Sequence, residues 1–118
     1  EDLAKYAIRM EHEAYYKELI DLPRMADMAA SMVKNSIRAF LNRDLKLARK
    51  VWKTDEEVDE LFRIVYEEQM DIAVKETKNT RLSIMFAFVA AHLERIADYA
   101  TNICEETVFS LEGDYSME

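Results

Sequence analysis

The sequence predicts an all-α fold, and three observations carry that prediction. The 118 residues include one Gly and one Pro, so turn-forming material is nearly absent. Hydrophobic residues make up 50% of the chain and recur at three- and four-residue spacings, as one face of an α-helix requires. No segment shows the sustained period-two alternation that marks a strand. A chain of this length can bury one workable core, so a single helical bundle is expected.

Taken in order, residues 1–20 predict an N-terminal helix with Leu3, Ala7, Met10, Ala14 and Leu19 on one face. Pro23 predicts a boundary, because the residue before proline avoids the helical region and proline itself suits a first turn. Asp21 is a fitting cap. A second helix runs from about Pro23 to Leu41, with Met25, Met28, Ala29, Met32, Ser36, Ile37 and Phe40 as its stripe. The methionines read as adaptable core packing. Asn42-Arg43-Asp44 is a tight connection, and Asp44 caps a third helix reaching Asp71 or Glu76. Thr54 to Glu57 also matches a capping box, but the apolar face keeps its phase through it, so one continuous helix is expected. Lys78–Thr80 reads as a turn. The last helix runs from about Arg81 to Glu112 and stops at Gly113. The domain plan is therefore an N-terminal helix (1–20), a helical bundle (21–113) and a loose tail (114–118), with four helices in total.

Two of these helices carry acids where apolar residues belong. In the third helix, Leu47, Val51, Leu61, Phe62, Val65 and Ile72 lie within roughly 60° of Val58, and most charges take the opposite side. Asp55 and Asp59 instead lie at about 60° and 100°, beside Phe62, Tyr66 and Ala48. In the last helix, Leu93–Glu105 reads LERIADYATNICE, and its Glu94, Asp98 and Glu105 share one face. That column begins with Ile84, Ala87 and Ala91 and ends with Phe109, so the acids interrupt an apolar stripe. Carboxylates buried without a partner are costly, so something positive should meet them. A metal ion, an arginine or a partner protein would each serve. If the two helices pack together, the four carboxylates of the pairs Asp55/Asp59 and Glu94/Asp98 repel one another and raise each other's pKa. Hard cations with oxygen ligands resolve that conflict. Pairing with Arg95, Arg81, Arg38 or Lys34 across the bundle is the plainer alternative.

Other features exclude function classes. The excess of 24 Asp and Glu over 16 Lys and Arg disfavours nucleic-acid binding and attachment to an anionic membrane. The most apolar run, Leu82–Leu93, is too short to span a bilayer. Lone Cys104 reads as a packed residue in a reducing compartment, and no signal peptide is recognisable, so a cytoplasmic protein is expected. No Gly-rich phosphate loop occurs, and no nucleophile has an evident His partner. A di-iron carboxylate enzyme built on a helical bundle is an alternative, but it needs Glu-x-x-His pairs. Arg9 and Val89 stand three residues before His12 and His92, which argues against it. A purely structural helical interaction module is a further alternative. His92 and Tyr99, with Phe88 and Ile103, lie on the third side of the last helix, and such an exposed strip suggests a dimer or domain interface.

With these residues in view, the chain resembles a PhoU repeat, the three-helix unit of bacterial and archaeal phosphate-uptake regulators. The family's last helix carries a pattern close to LERIGDxxxNIAE; here it is Leu93–Asp98 followed by Asn102-Ile103-Cys104-Glu105, Val108-Phe109 and Gly113. Asp44, Leu47-Ala48 and the span Asp55–Asp59 match the family's middle helix. The likeness covers roughly Leu22 to Tyr115. Three departures stand out: Thr54 replaces a frequent acid, Ala97 the usual Gly, and Tyr99 a commonly polar residue.

The resemblance implies an antiparallel three-helix PhoU-type bundle with the additional N-terminal helix. It further implies a non-enzymatic adaptor that restrains phosphate uptake or signalling by docking on a phosphate ABC transporter subunit or a sensor histidine kinase. Homodimerisation is also expected. Asp55, Asp59, Glu94 and Asp98 would ligate metal ions, divalent or trivalent (Fe, Zn, Mn, Mg or Ca). Asn102 and Glu105 are outer candidates one and two turns further along. PhoU proteins usually hold two repeats joined by a long helix, and Asp2–Ile8 resembles Asp98–Cys104. The chain therefore reads as the second half of a longer protein, carrying the tail of the first half's last helix. A freestanding four-helix bundle is the alternative.

Overall fold

In the computed structural model, residues 2–75, 80–113 and 117 are described, with the backbone alone for 2–19. Among them the chain forms three α-helices and no strand: α1 (Asp2–Asn42), α2 (Leu45–Lys75) and α3 (Thr80–Glu112). None is long and apolar enough to cross a membrane.

The expected four helices become three, because α1 runs without interruption through Pro23. Proline removes one N–H and crowds the carbonyl four residues earlier, but it ends a helix only when the flanking residues help. Here Glu18-Leu19-Ile20 and Arg24-Met25-Ala26 offer no glycine and no alternative turn. Asp21 lies inside the helix and caps nothing.

The α1–α2 connection is a helix stop and a helix start sharing one residue. The Asp44 N–H donates to the Ala39 carbonyl (2.9 Å) and the Arg43 N–H to the Phe40 carbonyl (3.4 Å). This pair of bonds is a Schellman closure, which needs a left-handed residue at its centre. Arg43 supplies it with φ of 55°, although glycine is the unstrained choice there. Asp44 then caps α2, its Oδ1 accepting from the Leu47 N–H at 3.0 Å. The expected cap is thus in place. So is the continuity of α2 past Thr54, whose hydroxyl donates to the Lys50 carbonyl within the helix (2.9 Å). Gly113 ends α3 as expected, with φ of 82° and its N–H on the Phe109 carbonyl. The expected turn at 78–80 falls mainly on residues outside the description, as does most of the tail 114–118. Of that tail Met117 is described, and it is buried.

The core is a seam of residues alternating three and four apart. In α1 it comprises Met25, Ala29, Met32, Ser36 and Ala39, all buried. Ile37 and Phe40, expected in this stripe, are exposed, because the true seam turns past them to Ala39. In α2 the buried positions Ala48, Val51, Val58, Val65 and Gln69 follow the same rhythm, as do Ser83, Ala87, Ala90, Ala97, Thr101, Cys104 and Val108 in α3. A 3.5-residue repeat of this kind winds helices around one another. Small residues dominate the α3 seam, which lets neighbouring helices approach closely. Ala97, standing for the family's glycine, is fully buried. The column Ile84 to Phe109 is less inward than expected, since both of its ends are exposed.

α2 and α3 are antiparallel. Arg49 pairs with Glu112 (2.6 Å) and Trp52 bonds to Glu105 (3.3 Å), so numbering rises in one helix as it falls in the other.

Two substitutions at the turn separate its components. Asp44→Ala is expected to lower stability by about 1 kcal/mol through loss of the cap. Arg43→Gly is expected to raise it by up to about 1 kcal/mol through relief of the left-handed backbone. Urea denaturation of both variants measures the two effects.

Candidate metal centre

The seam rhythm places two carboxylates in core positions. Counting along α2 as 48, 51, 55, 58, the third position is Asp55; along α3 as 87, 90, 94, 97, it is Glu94. Each acid therefore stands where its helix otherwise presents an apolar or small residue to its neighbour. Asp59 and Asp98 lie one turn further along their helices, at the edge of the seam. Because the helices run in opposite directions, the two pairs meet.

Oxygen atoms of Asp55, Asp59 and Asp98 lie within 4.8 Å of one another. Asp55 is half-buried, while Asp59 and Asp98 are exposed, so the cluster is a notch open to solvent on one side. Glu94, half-buried, adds its charge beside this trio. Asp55 Oδ1 is buried and has no hydrogen-bond partner among the described residues. No ion pair joins any of the four acids to a cation among the described residues, so the arginines and Lys34 considered as alternatives do not neutralise them there.

The electrostatics follow from this crowding. Burial, then the charges of Asp59, Asp98 and Glu94, push the Asp55 carboxyl up from 3.8 to about 6. A hydrogen bond in which protonated Asp55 donates to Asp59 adds to the shift. Asp59 is raised as well, by burial first and by Asp98 next. Glu94 is raised by burial, Asp98 and Asp59 in that order. Three carboxyls on two helices therefore share one cause: negative charge held partly out of water with no ion pair among the described residues.

The remaining candidates separate from this group. Asn102 is exposed, one turn beyond Asp98. Glu105 is half-buried, and its Oε1 accepts the indole N–H of Trp52 at 3.3 Å. Trp52 was not among the residues the sequence singled out. The signal was available, because it stands three residues before Asp55 and so shares its face of α2. His92 is exposed, its ring edge-on to Phe88 with centroids 4.4 Å apart.

An oxygen-only set of this spacing fits a hard cation. Two oxygens bound to one Ca-sized ion at 2.3–2.6 Å can lie no more than about 5 Å apart, and the observed trio satisfies that limit. Zinc, which more often takes nitrogen or sulfur, fits less well.

Comparison with known proteins agrees with the pattern along these helices. The family model described as PhoU domain matches residues 22–107, a span that contains every acid of the cluster. The chain belongs to the PhoU family. A phosphate-specific transport system accessory protein PhoU homolog from Clostridium acetobutylicum is 32% identical over 112 residues, covering 95% of this chain and 51% of the relative. PhoU homolog 2 from Thermotoga maritima is 32% identical over 113 residues, covering 96% and 48%. The homolog from Xylella fastidiosa strain 9a5c is 30% identical over 116 residues, covering 98% and 49%. The chain thus spans about half the length of the curated PhoU relatives it matches. No solved structure matches.

The Asp55 shift sets a pH dependence for the cation-free chain. Unfolded, Asp55 titrates near 3.8; folded, near 6. Between those values the folded state holds more protons than the unfolded one, so stability falls as pH rises through the window. The melting temperature is expected to rise when pH is lowered from about 7 to 5 in chelator, and Asp55→Asn is expected to flatten that rise. Thermal melts across that range measure it.

Proposed function

We propose that this PhoU chain is a non-enzymatic regulatory module of phosphate homeostasis whose acidic notch binds a hard metal ion. The carrying observation is the convergence of Asp55, Asp59 and Asp98 oxygens within 4.8 Å, with an unpartnered buried oxygen on Asp55. A cation bound there would be shared by α2 and α3, so its binding energy would add to the pairing of those helices. Asp55, Asp59 and Asp98 would hold it, and Glu94 would complete the charge balance. Mg, Ca, Mn or ferric iron suits the donor set best.

The adaptor role is supported by the relatives, each named as an accessory protein of phosphate-specific transport. The expected partners are a subunit of the phosphate ABC transporter or a sensor histidine kinase, met on the cytoplasmic side. Self-association is supported by a strip on α3 where Met85, Phe88, His92 and Tyr99 are exposed, with Arg95 between His92 and Tyr99. A non-catalytic reading is supported by the state of the one thiol. Cys104 is buried, and burial with the nearby Glu105 pushes its pKa up to about 11, which leaves almost no thiolate.

The test is a metal titration of the purified chain, first stripped with chelator. Addition of Mn²⁺ or Ca²⁺ is expected to raise the melting temperature by several degrees, as ligand binding to the folded state requires. Asp59→Ala and Glu94→Ala should weaken that increment, and Asp98→Asn should abolish it. Emission from Trp52, one turn before Asp55, should report binding. A melting temperature indifferent to metal, together with stabilisation by Asp59→Ala, would instead show plain buried carboxylates.

A further inference from the structure

Charge along this chain is distributed very unevenly. Residues 43–53 carry five of the 16 Lys and Arg and one of the 24 Asp and Glu, leaving 11 cations against 23 acids elsewhere. Screening confines each charge to about 8 Å at physiological salt, whereas Leu45 and Asp59 are separated by about 21 Å of helix. The end of α3 packs here too and brings Glu105, Glu106 and Glu112, but with Arg38 the six cations still exceed the four acids, so the net charge of −8 does not describe the end of the bundle where α1 turns into α2.

Lys46, Arg49, Lys50 and Lys53 line one hollow of about 740 Å³, in which Glu57 is the acid. Arg49 is engaged by Glu112, but the three lysines make no ion pair among the described residues. Directly across the turn, Phe40 is 53% exposed and Leu41 is 71% exposed. Between them and the lysines sits Arg43, a cation in a left-handed conformation where glycine would be free of strain. Apolar side chains at a convex tip, collared by unpaired cations, fit one kind of surface better than others. A protein partner needs on the order of 800 Å² from each side, more than one helical turn presents. A bilayer yields around protruding side chains and supplies a continuous layer of negative headgroups.

We propose that the α1–α2 turn docks peripherally on an anionic lipid bilayer. Phe40 and Leu41 enter the headgroup layer, while Arg43, Lys46 and Lys50 lie over phosphate groups. The acidic notch, about three to four helical turns from Leu45 along α2, stays clear of the membrane. This inference is independent of metal binding and revises the expectation, drawn from net charge alone, that an anionic membrane would repel the chain.

The test is vesicle co-flotation of the 118-residue chain. Vesicles of phosphatidylcholine with about a third of phosphatidylglycerol should carry the chain at about 50 mM salt, release it at about 500 mM, and outperform pure phosphatidylcholine. The double variant Lys46→Glu/Lys50→Glu should reduce partitioning by on the order of a hundredfold or more. Leu41→Ser should reduce it by about tenfold. Arg43→Gly should bind more weakly while melting at a higher temperature, which separates docking from folding. Arg63→Ala, on the far part of α2, should bind as the parent does. Equal binding to both vesicle types, no binding at low salt, or binding unaffected by the lysine reversals would overturn the proposal. Capture of poly-glutamate without any capture of vesicles would also overturn it, in favour of an acidic protein partner.

Discussion

The structure depends on one conflict: a repeating seam that closes three helices around one another, interrupted by carboxylates of α2 and α3 that lie beside one another. Asp55 and Glu94 occupy positions that otherwise carry Ala, Val, Ser, Thr or Cys. A bundle tolerates such residues only at the edge of the solvent or beside a counter-charge. This one does the first by half: Asp59 and Asp98 open the cluster to water, while one oxygen of Asp55 is shut away from it. The cost is a set of raised carboxyl pKa values, and the return is a preorganised group of oxygens.

Much of the remaining architecture serves to keep that cluster in register. Small residues along the α3 seam bring α3 close to its neighbours, so that side chains as short as aspartate can reach across. The shared cap at Asp44 fixes where α2 begins, and therefore which residues of α2 stand opposite Asp98. Trp52–Glu105 and Arg49–Glu112 tie α2 to α3 on the turn side of the cluster. The Trp52 contact engages Glu105, leaving the converging set one acid smaller than the spacing in α3 suggested. Exposed surface ion pairs such as Arg63 with Glu60 and Glu67 add little by comparison.

The acid pairs were legible because they break a periodicity that everything around them obeys. Asp55 and Asp59 avoid the charged face of α2, and LERIAD carries its acids into an apolar column. The caps at Asp44 and Gly113 were legible for the same kind of reason, since each side chain meets a specific backbone requirement. Pro23 misled: proline's preference for a first turn is a local rule, and the helix-forming residues on both sides outweighed it. Ile37 and Phe40 misled because a 100° wheel drifts from a seam with a 3.5-residue repeat, so positions near the end of α1 were assigned to the wrong side. Local spacing puts Trp52 on the face of Asp55, but its hydrogen-bond partner Glu105 lies 53 residues away, which no local spacing encodes.

The account stands or falls on whether the cluster holds unneutralised negative charge in the folded, cation-free chain. Carbon-13 NMR of the side-chain carboxyls, recorded against pH in chelator, reads that directly. Asp55 should titrate near 6, well above the 3.8 of an unperturbed aspartate, and saturating Ca²⁺ should move its midpoint down below the ordinary carboxylate range. An Asp55 midpoint near 4 with no response to Ca²⁺ would contradict the account.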